Sequence, residues 1–186
     1  MVPREARSTR VSTMTLDPAT TTRAALDFDA LYRDARDDVY AYVVTLLHDR
    51  GAAEDVTAQA FEKAFRKAGT YDSRRGGERA WLFGIARNAA LDELRRRKRT
   101  AALATDPHDP VSASTEDAVQ RAVERAAVRA ALATLPARDR EVIALKFHAG
   151  LDNAELAAVL GVSPTNAGTL LHRAMNKLRE AVDDRA

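Results

Sequence analysis

From Phe28 onward the chain repeats apolar residues at helical spacing: Phe28, Leu31, Tyr32, Ala35, Val39, Tyr42, Val43, Leu46 and Leu47 form one stripe. Arg50-Gly51 is expected to end that helix. A second helix is expected from Ala52 to Ala68, with Val56, Ala60, Phe61, Ala64 and Phe65 inward and Gly69 as its stop. Thr70 to Gly77, TYDSRRGG, reads as a loop. A third helix starts near Glu78 and carries Trp81, Leu82, Ile85, Ala86, Ala89 and Leu94 into RRRKR. Three such helices suffice for a bundle.

The pattern then breaks. Residues 100–114, TAALATDPHDPVSAS, hold two prolines and no stripe, the marks of a linker. Ser114, with Asp117 three positions on, is expected to open another helix that runs to Leu135. Pro136 opens the next, with Val142, Ile143, Leu145 and Phe147 apolar, as far as Ala149-Gly150. Residues 1–26 show no apolar period and are expected to form a disordered tail. No alternating strand pattern is present. The expected fold class is all-α, with two small helical domains: a three-helix bundle over 27–99 and a helix-turn-helix domain over 115–184, joined by a flexible linker.

Composition narrows the chemistry. The 186 residues are 46% hydrophobic and 30% charged, which is globular composition. Without cysteine there are no disulfides, thiolate chemistry or zinc fingers. No apolar run approaches the ~18 residues of a membrane span, and the N-terminus has no secretory h-region. The expectation is a cytoplasmic protein with no membrane insertion. The four histidines show no paired metal spacing, and Gly76-Gly77 is too short a phosphate-cradling loop. Asp37-Asp38 and Glu54-Asp55 point to different helix faces. No catalytic residue, metal or cofactor is expected.

Overall charge is only +2, but it is unevenly placed. From Arg74 to Arg99 nine positives face three negatives, a local charge of +6. Arg74, Arg75, Arg79 and Arg87 lie along one end and side of the third helix, and Arg95, Arg96, Arg97, Lys98 and Arg99 close it. Five consecutive cations repel one another unless an anion is bound, so this stretch reads as a polyanion-binding surface. Tyr71, Trp81 and Phe83 are nearby rings on which unpaired bases could stack, at about 1–3 kcal/mol each. Trp81 fits the core better, and Tyr71, in the loop, is the better platform.

Leu151 to Glu180 is the most informative segment. Asp152 can cap a short helix bearing Leu156, Ala157, Val159 and Leu160. Gly161 follows Ala157 by four residues, where a helix-turn-helix needs a small residue and then a glycine free to take positive φ. Ser163-Pro164 starts the second helix with an N-cap and a first-turn proline. Its inner stripe would be Ala167, Leu171, Ala174, Met175 and Leu178. Thr165, Asn166, Thr169, His172, Arg173 and Lys177 would face outward, into a DNA major groove.

The order of these segments resembles the extracytoplasmic-function (ECF) group of bacterial sigma-70-family sigma factors. AEDVTAQAFEKAF, RAWLFGIARNAALDELRRRKR, LATLPARDREVIALKFHAGLDNAELAAVLGVSP and LHRAMNKLRE carry the likeness. The resemblance implies a promoter-specificity subunit that binds core RNA polymerase and promoter DNA and assists −10 melting. It assigns the core contact to Glu54, Asp55, Thr57, Gln59 and Glu62. It assigns −10 DNA to Tyr71, Arg74, Arg75, Arg79, Arg87, Asn88, Arg95, Arg96, Arg97, Lys98 and Arg99. It gives the −35 element to the second helix of the turn motif, and an anti-sigma factor as a further partner of a chain otherwise monomeric. Two departures stand out: Ala58-Gln59 lacks an acid common in the family, and Gly168 and Leu170 replace frequent cations. The alternative is a dimeric helix-turn-helix regulator that binds DNA without polymerase.

Overall fold

The computed structural model describes residues 26–101 and 119–184. The expected tail, most of the linker and the Ser114 helix start lie outside the described residues. Among the described residues there are seven α-helices and no strand: α1 (Phe28–Leu47), α2 (Arg50–Lys67), α3 (Glu78–Ala101), α4 (Val119–Thr134), α5 (Ala137–Phe147), α6 (Asn153–Leu160) and α7 (Pro164–Asp183). None is long and apolar enough to cross a membrane.

Local chemistry sets the boundaries. Asp27 caps α1 by accepting from the Ala30 amide at 3.0 Å. The expected stop at Arg50-Gly51 is corrected: α1 ends at Leu47, and His48 takes a left-handed φ of 53°. Asp49 then caps α2 by accepting from the Ala52 amide at 3.1 Å, so Arg50 and Gly51 lie in its first turn. After α2 two 3-10 turns, Ala68–Thr70 and Ser73–Arg75, lead into α3. α3 buries Ala80, Leu82, Phe83, Ala86, Ala89 and Ala90, and its end runs on past the bundle to Ala101.

The C-terminal half is equally well punctuated. Asp152 and Glu155 form a reciprocal capping box on α6, with bonds of 2.8 and 3.1 Å. Gly161 ends that helix at φ 70°, a left-handed conformation that glycine adopts without steric cost. Ser163 caps α7 by accepting from the Asn166 amide.

The two halves share one core. Val39, Tyr42 and Val43 of α1 and Leu82, Phe83 and Ala86 of α3 belong to the same buried cluster as Val142, Leu145, Leu151 and Leu156. A smaller cluster of Leu135, Ile143 and Ala174 fastens α7 to α5 and the end of α4. Several residues expected inward are not: Phe65 is 66%, Phe147 64% and Tyr32 40% exposed. Phe28, Tyr32, Phe61 and Phe65 instead form an edge-to-face aromatic group along the α1–α2 seam, with centroids 4.8–6.4 Å apart.

Candidate nucleic-acid interface

The loop between α2 and α3 and the first turns of α3 border a cleft of about 860 Å³. Tyr71, Arg74, Arg75, Trp81 and Asn88 line one side of it, and Ala154, Glu155, Ala158 and Val159 of α6 line the other. The two rings exchange their expected places. Tyr71 is buried, its ring against Trp81 at 5.5 Å and its hydroxyl donating to the Gly76 carbonyl at 3.2 Å. Burial, then Glu78 and Asp72, raise its pKa. Trp81 is only half buried and presents the more open ring. Arg74 leans back on Asp72 at 2.9 Å yet stays 86% exposed. Arg75 is exposed and has no ion-pair partner among the described residues.

The basic end of α3 is less bare than its sequence suggests. Arg95 pairs with Asp92 at 2.8 Å, Arg96 with Glu93 at 2.7 Å, and Arg97 with both Glu93 and Asp49 at 2.8 Å. The Arg96 hydrogen bond, with further help from Arg97, holds the Glu93 carboxyl down at about 2 against the opposing effect of burial. The expected mutual repulsion of five cations is thus relieved within the fold for three of them. Lys98 and Arg99 keep exposed, unpaired charge among the described residues.

Arg79 and Arg87 are placed differently from the other cations. Arg79 donates to the Ala149 carbonyl at 3.0 Å, the His148 carbonyl at 3.1 Å, the Asp34 carbonyl at 3.3 Å and Asp38 Oδ2 at 2.7 Å. Arg87 Nε donates to Glu141 Oε1 of α5 at 2.6 Å, and Glu141 is buried. Arg87 thus reaches across to the C-terminal half, and Arg79 bridges α1 and that half. Burial lowers the pKa of His148 at this seam, with nearby Asp38 opposing the change.

On α7, Thr165, Asn166, Thr169, His172 and Arg173 are all exposed, and Ala167 and Ala174 are buried, as the turn motif requires. Lys177 departs from that free outer face: its ammonium is paired with Asp139 of α5. Gly168 and Leu170 are half buried, on the flank of the helix and not among its exposed positions. On α2, Glu54, Asp55, Gln59 and Glu62 are exposed together. Thr57 is corrected: it is buried, its Oγ1 has no hydrogen-bond partner, and it is not part of that face.

Sequence reading missed Glu141, Asp38 and Asp49, whose arginine partners lie 41 to 54 residues away. It also missed the α6 wall of the cleft. Only Glu155 had a local signal, the Asp-x-x-Glu spacing of a capping box.

A cationic loop over a cleft, a basic helix and a helix-turn-helix in one chain define a DNA-binding transcription protein. Residues 31–100 match the family described as Sigma-70 region 2, and residues 118–178 match Sigma-70, region 4. The chain is 33% identical over 151 residues to the ECF RNA polymerase sigma factor SigL of Mycobacterium tuberculosis, covering 81% of this chain and 85% of that one. The sigma factor RpoE of Bartonella quintana, solved with the anti-sigma factor NepR, superposes with a TM-score of 0.67 at 24% identity, over 84% of this chain and 97% of that one. CnrH, solved with the cytosolic domain of CnrY, gives 0.62 at 25% identity, over 86% and 89%. The chain belongs to the ECF sigma factors of the sigma-70 family. It therefore acts as a promoter-specificity subunit in transcription initiation, and the polymerase-independent dimeric regulator is not favoured.

Proposed function

We propose that residues 27–99 carry core-polymerase and −10 contacts and that residues 115–184 carry the −35 contact. The exposed acidic face of α2, Glu54, Asp55, Gln59 and Glu62, is the core-binding surface. Arg74, Arg75 and Asn88, with Lys98 and Arg99 farther along α3, attract the −10 strand, and the half-buried Trp81 offers a ring to an unpaired base. The exposed Thr165, Asn166, Thr169, His172 and Arg173 read duplex −35 DNA, with Ser163 fixing where the helix enters the groove. Binding the unpaired strand offsets the cost of melting, so opening needs no nucleotide hydrolysis and no catalytic residue. The chain works in the cytoplasm, where an anti-sigma partner, of the kind seen with RpoE and CnrH, restrains it.

The observation that carries this reading is the cleft lined by the exposed Arg74 and Arg75 together with the half-buried Trp81. The joint substitution Arg74→Ala and Arg75→Ala is expected to lower permanganate reactivity of −10 thymines in complexes with core polymerase. It should also flatten the salt dependence of strand binding by up to about two charges. Unchanged reactivity would contradict the assignment.

A further inference from the structure

Thr165, Thr169, His172, Asn176 and Arg179 follow one another at steps of four and three residues, so they share one face of α7. Asn176 is half buried and the other four are exposed. Arg179 Nη1 donates to Asn176 Oδ1 at 3.0 Å, and Asn176 Nδ2 lies 3.2 Å from His172 Nε2. Chemistry alone gives this chain a direction. A guanidinium only donates, so the amide oxygen must face Arg179, and the amide nitrogen is thereby turned toward the imidazole. That nitrogen also only donates, so His172 Nε2 must accept and the ring proton belongs on Nδ1. Lys177, one position on, stands outside this chain because its ammonium is paired with Asp139.

We propose that Asn176, oriented by Arg179, is a positioning residue that fixes the proton of His172 on Nδ1, so that the ring presents a hydrogen-bond donor to duplex DNA. This inference rests on the −35 reading of α7 and deepens it. His172 stands roughly 12 Å along the helix axis from Pro164, within reach of a groove entered N-terminus first, and Arg179 roughly 22 Å. With Nε2 occupied, Nδ1–H is the free polar group of the ring. Its fitting partner is an acceptor, either a phosphate oxygen or an acceptor atom on a base edge such as purine N7 or thymine O4. The Thr169 hydroxyl, one turn earlier, already donates to the Thr165 carbonyl at 3.0 Å, and Gly168 and Leu170 carry no side-chain donor. A fixed donor at His172 therefore counts for more on this face.

Two measurements test the assignment. Long-range proton–nitrogen NMR of the full chain, labelled with 15N at its four histidines, distinguishes the two tautomers, and His172→Ala identifies the signal. At pH 8 the natural chain is expected to show His172 with its proton on Nδ1. A proton on Nε2 would overturn the proposal, even if no variant at Asn176 folded. The second measurement is a double-mutant cycle in complexes with core polymerase, on the duplex bound most tightly from a randomised pool. Asn176→Leu is expected to weaken binding about fivefold when His172 is present and not at all when it is alanine. Equal weakening in both backgrounds would show a merely structural role and overturn the proposal.

Repeating the selection with Asn176→Leu identifies the acceptor: relaxed preference at one base pair marks a base edge, and uniform weakening across sequences marks a phosphate. Thr165→Ala with Asn166→Ala separates the two levels. If that pair leaves duplex binding intact, the −35 reading of α7 fails; if it weakens binding while the cycle shows no coupling, only the positioning role fails.

Discussion

Tyr42 buries a hydroxyl that has no hydrogen-bond partner, while its ring meets Phe83 edge-on at 5.5 Å. Burial, reinforced by Glu141, pushes its pKa well above the usual phenol value, so the group stays neutral. Tyr42→Phe keeps the ring contact and removes a desolvated oxygen. It is expected to raise stability by about 1 kcal/mol in urea unfolding; a fall would show that the hydroxyl supports the nearby ion pair. Single residues were also where sequence reading was weakest. The loop position put Tyr71 on an open surface, the family resemblance put Thr57 on the polymerase-facing side, and helical spacing put Trp81 in the core. A single hydrogen bond, such as that from Tyr71 to the Gly76 carbonyl, or a small rotation of a helix decides exposure at such positions, and neither is written in the local pattern.

Elements were far more legible, because their ends are fixed by local chemistry. Asp152, Gly161 and Ser163-Pro164 stand where capping rules place them, and the helix-turn-helix followed from them. The α1–α2 boundary was misjudged because Asp49 is a stronger signal than Gly51: a carboxylate that accepts from the Ala52 amide starts a helix even with glycine in its first turn. Gly168, within α7, offers a test at this scale. A β-carbon there would meet only Asn153 Nδ2, at an ordinary 3.7 Å. Gly168→Ala is therefore expected to stabilise the chain by up to about 1 kcal/mol and raise its thermal midpoint. Duplex binding should be unchanged, because the exposed reading residues do not move.

For the whole molecule, the sequence pointed to two weakly coupled units, whereas the structure joins them through one core and two arginines. No period can announce contacts between residues 54 to 70 positions apart on either side of a linker. A shared core predicts shared unfolding. Calorimetric and van't Hoff enthalpies of the natural chain should agree, as for a single cooperative unit. In Glu141→Arg the calorimetric value should exceed the van't Hoff value as the halves melt separately, and identical ratios in both proteins would contradict the coupling. One detail of this seam bears on how such chains diverge. Arg79 is received by main-chain oxygens at His148 and Ala149, and a main-chain acceptor survives any replacement of the side chain it belongs to. Genetic drift at those two positions can therefore leave the grip intact, and a survey of side-chain identities would overlook an attachment that the peptide bond itself provides.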